Sequence, residues 1–124
     1  IRRRDFTGDF TAVIHDGPGR SIAEQLTRAL QLECGADAAI RVQAPHSLPV
    51  LGRALQAIPA VRHFARSDQI HFWRAGVPAA MLTDTANFRY PHYHMTTDTW
   101  EKLDYTRLAA IGTVTARLVA DLAR

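Results

Sequence analysis

The sequence predicts an α/β fold in which helices cover a sheet that is at least partly parallel. Two observations carry this reading. Short apolar or alternating segments recur at residues 10–14, 39–43 and 78–83, and segments with helical spacing lie between and after them. Strands that alternate with helices are the pattern of a layered α/β sandwich. With 124 residues, 47% hydrophobic and 22% charged, the chain has the composition of an ordinary globular protein and the length of one domain or part of one.

The elements follow in order. Phe10 to Ile14 reads as a strand, ended by the turn residues Asp16-Gly17-Pro18-Gly19. Ser21 stands three residues before Glu24, the spacing of a capping box at a helix start. Leu26 and Leu30 share one face of the helix that follows, and Gly35 is placed to end it. From Ala39 to Gln43 the chain alternates, Ile40 and Val42 facing one way and Arg41 and Gln43 the other, as in a half-buried strand. Ser47 to Phe64 reads as helix plus loop: Pro49 suits a first helical turn and Pro59 interrupts anything long. Asp68 is placed to cap a short helix, Gln69 to Ala75, that stops at Gly76. Pro78 to Thr83 is nearly all apolar, as a strand covered on both faces would be. After an irregular polar stretch, Asp84 to Thr97, the pair Asp98 and Glu101 repeats the capping spacing before a short turn. From Tyr105 on, Leu108, Ile111, Gly112, Leu118, Val119 and Leu122 give helical periodicity.

Composition narrows the function classes. The net charge is +3, and the arginines are scattered apart from Arg2, Arg3 and Arg4, so no stripe tracks a phosphate backbone and no nucleic acid is expected as partner. No apolar run approaches the roughly 20 residues of a membrane span, so no membrane partner is expected. Cys34 is the single cysteine, which excludes a disulfide scaffold. The chain opens on Ile1, as a processed piece or a cut polypeptide would, and its composition fixes no compartment.

The Asp84–Thr97 connection is where a site is expected. It follows the most apolar strand, and ligands of parallel sheets collect beyond the carboxyl ends of strands. Its surroundings read TDTANFRYPHYHMTTDT from Thr83 to Thr99. His92 and His94 are one residue apart, and on an extended backbone their side chains would project the same way. Imidazole is the commonest zinc ligand and carboxylates complete many hydrolytic sites, so Asp84 and Asp98 are candidates beside them. The alternative is equally concrete: histidines bonded to loop carbonyls, and Asp98 as a helix cap.

The string from Ser67 to Tyr105 resembles the C-terminal part of the two-zinc aminopeptidases of metallopeptidase clan MH, the family numbered twenty-eight. Ser67-Asp68, Phe72, Ala75-Gly76-Val77-Pro78, Thr83-Asp84-Thr85, Tyr93-His94 and Asp98-Thr99 follow that family's motifs in order and spacing. The resemblance implies a three-layer α/β sandwich with a mixed, partly parallel sheet, of which residues 1–124 form a single partial domain, the C-terminal portion. It implies that His94 is a zinc ligand and that Tyr93 steadies the oxyanion of the tetrahedral intermediate; a phenol beside a metal can donate where charge develops. In such enzymes two zinc ions activate a water that attacks the carbonyl next to a free peptide N-terminus. Gln69, His71 and Met95 depart from the usual pattern without removing a ligand.

The family's other ligands are a His-x-Asp pair, a bridging aspartate, adjacent glutamates that include the general base, and a further carboxylate. The sequence holds no His-x-Asp and no Glu-Glu pair, so this chain would supply at most one ligand and be inactive by itself. Two other readings follow from the same residues: a non-catalytic fold relative acting as an interaction domain, and a one-zinc glutaminyl cyclase-like enzyme. A partial domain of this kind leaves a strand edge unpaired and an apolar face uncovered. The expected partners are therefore a second copy or a missing N-terminal half, with peptide as substrate of the parent enzyme.

Overall fold

A computed structural model describes residues 10–48, 52–55, 57–84 and 88–124. The readings placed on Arg2 to Arg4, Pro49 and Thr85 lie outside them. The elements are β1 (Thr11–His15), α1 (Arg20–Cys34), β2 (Ala39–Gln43), α2 (Gly52–Leu55), α3 (Pro59–Arg62), α4 (Gln69–Arg74), β3 (Ala80–Thr83) and α5 (Tyr105–Leu122). The strands form one sheet in the order β2-β1-β3. β1 and β2 run parallel, with Thr11 opposite Ala39 and His15 opposite Gln43. β3 runs antiparallel to β1, with Ala12 opposite Thr83 and His15 opposite Ala80. The sheet is thus mixed, with one parallel pair.

Both faces of the sheet are covered, which makes three layers. On one face Val13 packs with Ala23, Leu26 and Leu30 of α1 and Val114 of α5, joined by Leu82, Ile111 and Leu118. On the other, Ala12 and Ile14 pack with Val42, Met81, Phe64 and Trp73. Central β1 is therefore buried along its whole length, while β3 is only half-buried, less than its apolar sequence suggests. A strand at the edge of the described sheet has neighbours on one side only. Leu26 and Leu30 are buried as their spacing requires, and Leu30 retains 1% of its surface. Burial of a leucine of this kind contributes about 1.5–3 kcal/mol.

The helix ends differ from the sequence reading in instructive ways. The start of α1 is held by Asp16, whose Oδ1 accepts from the Gly19 amide at 2.8 Å, and no capping box forms at Ser21. Ser21 already lies inside the first turn, where its Oγ accepts from Gln25 Nε2. Gly19 itself passes close to the backbone leading into β3: a Cβ there would lie 2.1 Å from the Ala79 carbonyl oxygen. Gly35 ends α1 with φ of 105°, and Gly76 follows α4 with φ of 71°; both are left-handed positions that favour glycine. Asp68 precedes α4 without a side-chain cap bond. Pro59 opens α3 at its first position, where a missing N–H costs nothing, so it divides the 47–64 segment into two short helices. Asp98 does not cap the 3-10 turn Trp100–Lys102, whose N-cap is Thr99. Asp104 does cap α5, accepting from the Arg107 amide.

Candidate functional site

The polarity of β3 decides where the candidate loop sits. Because β3 is antiparallel to β1, its last residue, Thr83, pairs with Ala12 near the start of β1. Asp84 and the loop beyond it therefore leave the sheet at the amino ends of β1 and β2. This corrects the expectation drawn from parallel sheets: the loop lies at the carboxyl end of its own strand only. Its return is anchored over the start of β1, where the Arg89 guanidinium stacks on the Phe10 ring at 5.0 Å. Phe88 meets His63 edge-on with centroids 5.0 Å apart.

From Tyr90 the backbone runs through successive tight turns. The Tyr93 amide donates to the Tyr90 carbonyl, the Met95 amide to the His92 carbonyl, and the Asp98 amide to the Met95 carbonyl. Pro91 stands at the second position of the first turn, where its fixed φ is pre-set. His92 and His94 are consequently not on an extended strand. His94 has a φ of 59°, an uncommon conformation for a non-glycine residue that is found at turns and at sites where surroundings impose it.

The two histidines part company here. Half-buried His92 shares a hydrogen bond through Nδ1 with the Thr97 hydroxyl at 2.8 Å and lies edge-on to Tyr90; its role is to hold the loop. His94 is exposed and stacks on Tyr93, with centroids 4.1 Å apart and ring planes 16° from parallel. Tyr90 donates to Asp98 Oδ1 at 2.9 Å. Its phenol is raised above the ordinary value of 10.0, first by desolvation, then by the Asp98 hydrogen bond and the charges of Asp98 and Asp84. Lys102 Nζ donates to the Thr97 carbonyl and to Thr99 Oγ1, closing the loop from its far side.

Beneath the loop, against the sheet face that carries Ala12 and Ile14, lies a mainly apolar cavity of about 420 Å³. Phe64, Met81, Phe88 and Tyr93 are among its lining residues. Ile40 and Val42 line it too, which confirms that they share a face of β2. Sequence reading passed over Tyr90 and Phe88, because a tyrosine bonded eight residues away and a phenylalanine docked on His63 leave no periodic signal.

Among the described residues no group of three or more His, Cys, Asp or Glu side chains converges to hold a metal ion. Hydrolytic zinc takes three protein ligands and a water. In the loop His94 presents an exposed imidazole, and one oxygen of the Asp98 carboxylate accepts from Tyr90. The described residues do not fit a self-contained zinc centre; they fit a single donor.

Comparison with known proteins decides the family. The model of peptidase family M28 matches residues 17–119, which takes in α1, the sheet from β2 on, the loop and most of α5. The chain belongs to peptidase family M28. This is a family of zinc-dependent peptidases. The chain is also similar to the uncharacterized protein YfbL of Escherichia coli K12, at 40% identity over 45 residues. That alignment covers 36% of this chain and 14% of the relative, so the chain corresponds to a small part of that protein. No solved structure matches the chain. Among the described residues, no helix is long and apolar enough to cross a membrane.

Proposed function

We propose that this M28 chain is the C-terminal segment of an aminopeptidase-like exopeptidase, to which it contributes one zinc ligand, His94, and one hydrogen-bond donor, Tyr93. The observation that carries the reading is the loop geometry: an exposed imidazole whose nitrogens are uncommitted, set at a left-handed residue and braced by Tyr90–Asp98 and His92–Thr97 on either side. These two bonds fix the turns on either side of His94 and so limit where its ring can lie. The remaining ligands and the general base then belong to polypeptide beyond this chain. Tyr93 stands next to the ligand, where its phenol can meet a developing oxyanion, and it also borders the apolar cavity. That cavity supports a preference for substrates with an apolar residue next to the cleaved bond.

The test uses a longer polypeptide in which this segment sits within an active peptidase. His94→Ala should lower zinc content and abolish cleavage of N-terminal residues, while Tyr93→Phe should lower kcat and leave zinc content intact. Full zinc occupancy and full activity in His94→Ala would remove the assignment. Release of ammonia from a glutaminyl peptide, with no peptide cleavage, would favour the cyclase reading instead.

A further inference from the structure

The apolar cavity beneath the loop has one charged wall. Among the described residues that line it, Arg66 is the single charged side chain, and no carboxylate is present. Arg66 follows directly on a 3-10 turn, His63–Ala65, in which positions three apart stand one above the other. Arg66 Nη1 accordingly donates to His63 Nδ1 at 2.9 Å. A guanidinium can only donate, so His63 carries its proton on Nε2 and is neutral. Phe88 meets the same imidazole edge-on. From the other side, buried Gln69 donates through Nε2 to the Phe64 carbonyl at 2.9 Å, and the Ile70 amide donates to the Ser67 carbonyl. The turn that carries Arg66 is thus tied to the first residues of α4.

The cavity is graded from floor to mouth. Ala12 and Ile14 of the sheet are buried and form an apolar floor with Val42 and Met81. Arg66 is exposed and Tyr93 half-buried, so the guanidinium stands where the cavity opens to solvent. A carboxylate carried down to the floor would lose its hydration and find no partner, which is strongly unfavourable. At the mouth it meets a planar, permanently charged fork that binds carboxylates through paired N–H donors; His63 takes one of the five. An occupant matched to this gradient is apolar at its inner end and anionic at its outer end. When the side chain of a peptide's N-terminal residue fills the floor, its main chain is left at the mouth. The carboxylate that reaches Arg66 then belongs to the main chain.

We propose that Arg66 selects short peptides: an apolar N-terminal side chain enters the cavity, and the free C-terminal carboxylate one residue on pairs with the Arg66 guanidinium. This rests on the aminopeptidase reading proposed for Tyr93 and His94. In a dipeptide the two carboxyl carbons are one residue apart, about 3.5 Å of extended chain. A carboxylate anchored at the mouth therefore holds the scissile carbonyl at the mouth as well, on the side of the cavity that Tyr93 lines. In a longer peptide the same place is taken by a neutral peptide carbonyl, a weaker acceptor for a guanidinium than a carboxylate. The carboxylate is present in the bound substrate and in the transition state alike, so the selection acts mainly on KM.

The experiment uses the longer polypeptide with peptidase activity and measures kcat and KM on Leu-Leu, Leu-Leu amide and Glu-Leu amide. Leu-Leu should be cleaved roughly tenfold or more better than its amide, mainly through a lower KM. Arg66→Gln should bring that ratio close to one, and Arg66→Lys should keep part of it. Zinc content and far-ultraviolet circular dichroism check that both variants are folded. Equal kcat/KM on Leu-Leu and its amide, in an enzyme that His94→Ala inactivates, would overturn this inference alone. So would a preference that survives in Arg66→Gln. Glu-Leu amide cleaved faster than Leu-Leu amide, with the advantage lost in Arg66→Gln, would overturn it too, by giving the guanidinium a side-chain carboxylate. Release of no N-terminal residue from any of the three would overturn the aminopeptidase reading, and this inference with it.

Discussion

Tyr90 and Asp98 are joined by a hydrogen bond of 2.9 Å from the phenol to Oδ1, which closes the turn-rich segment that displays Tyr93 and His94. The bond has a pH signature. A tyrosine whose folded-state pKa is raised favours the neutral phenol, so its contribution is complete below the unfolded value near 10. It is lost as pH rises through the raised folded value. Phenolate absorbance during alkaline titration should show a step above pH 10 that disappears in Tyr90→Phe. The same variant should speed amide exchange at Met95 and Asp98 with little change in global melting, because the bond is exposed.

Gly19→Ala should be among the most damaging single-methyl additions in the chain. The new Cβ would lie 2.1 Å from the Ala79 carbonyl oxygen and 3.0 Å from Asp16 Oδ1, so the α1 entry or the approach to β3 must move. Overpacking of this order costs about 1–3 kcal/mol or more. Urea denaturation should record it as a lower midpoint, while alanine at Gly112, where space is open, should be neutral or stabilising in a monomer.

Two leucines two residues apart on α1 separate core from surface. Leu30→Ala removes a side chain with 1% exposure and should cost about 2–5 kcal/mol. Leu32→Ala, at 81% exposure, should stay within about 0.5 kcal/mol of the parent. Equal losses at both positions would mean that α1 does not lie on the sheet as described.

The observed cap at Asp104 and the predicted one at Ser21 should respond differently. Asp104→Ala removes the acceptor for the Arg107 amide and should cost about 0.5–2 kcal/mol. Ser21→Ala leaves the α1 start, held by Asp16, intact and should change stability by less than about 0.5 kcal/mol. A Ser21 variant as damaging as the Asp104 variant would restore the capping box.

Some of this molecule was written locally and could be read without coordinates. The bounds of β2, the buried face of α1 at Leu26 and Leu30, the stop at Gly35 and the start of α5 all follow from periodicity and turn chemistry, which act over a few residues. The order of motifs from Ser67 to Tyr105 was likewise legible, and the match to peptidase family M28 over residues 17–119 agrees with it. What sequence could not supply were relations between segments. Gly19 has to be glycine because Ala79, sixty positions away, leaves no room for a side chain. His92 and His94 took different roles because Thr97 and Tyr93 came within reach of one each. The loop came to lie at the amino end of β1 because β3 returned antiparallel. Local preferences set which residues become strand or helix; the direction of a strand, its open edge and the reach of a side chain depend on which other segment packs against it.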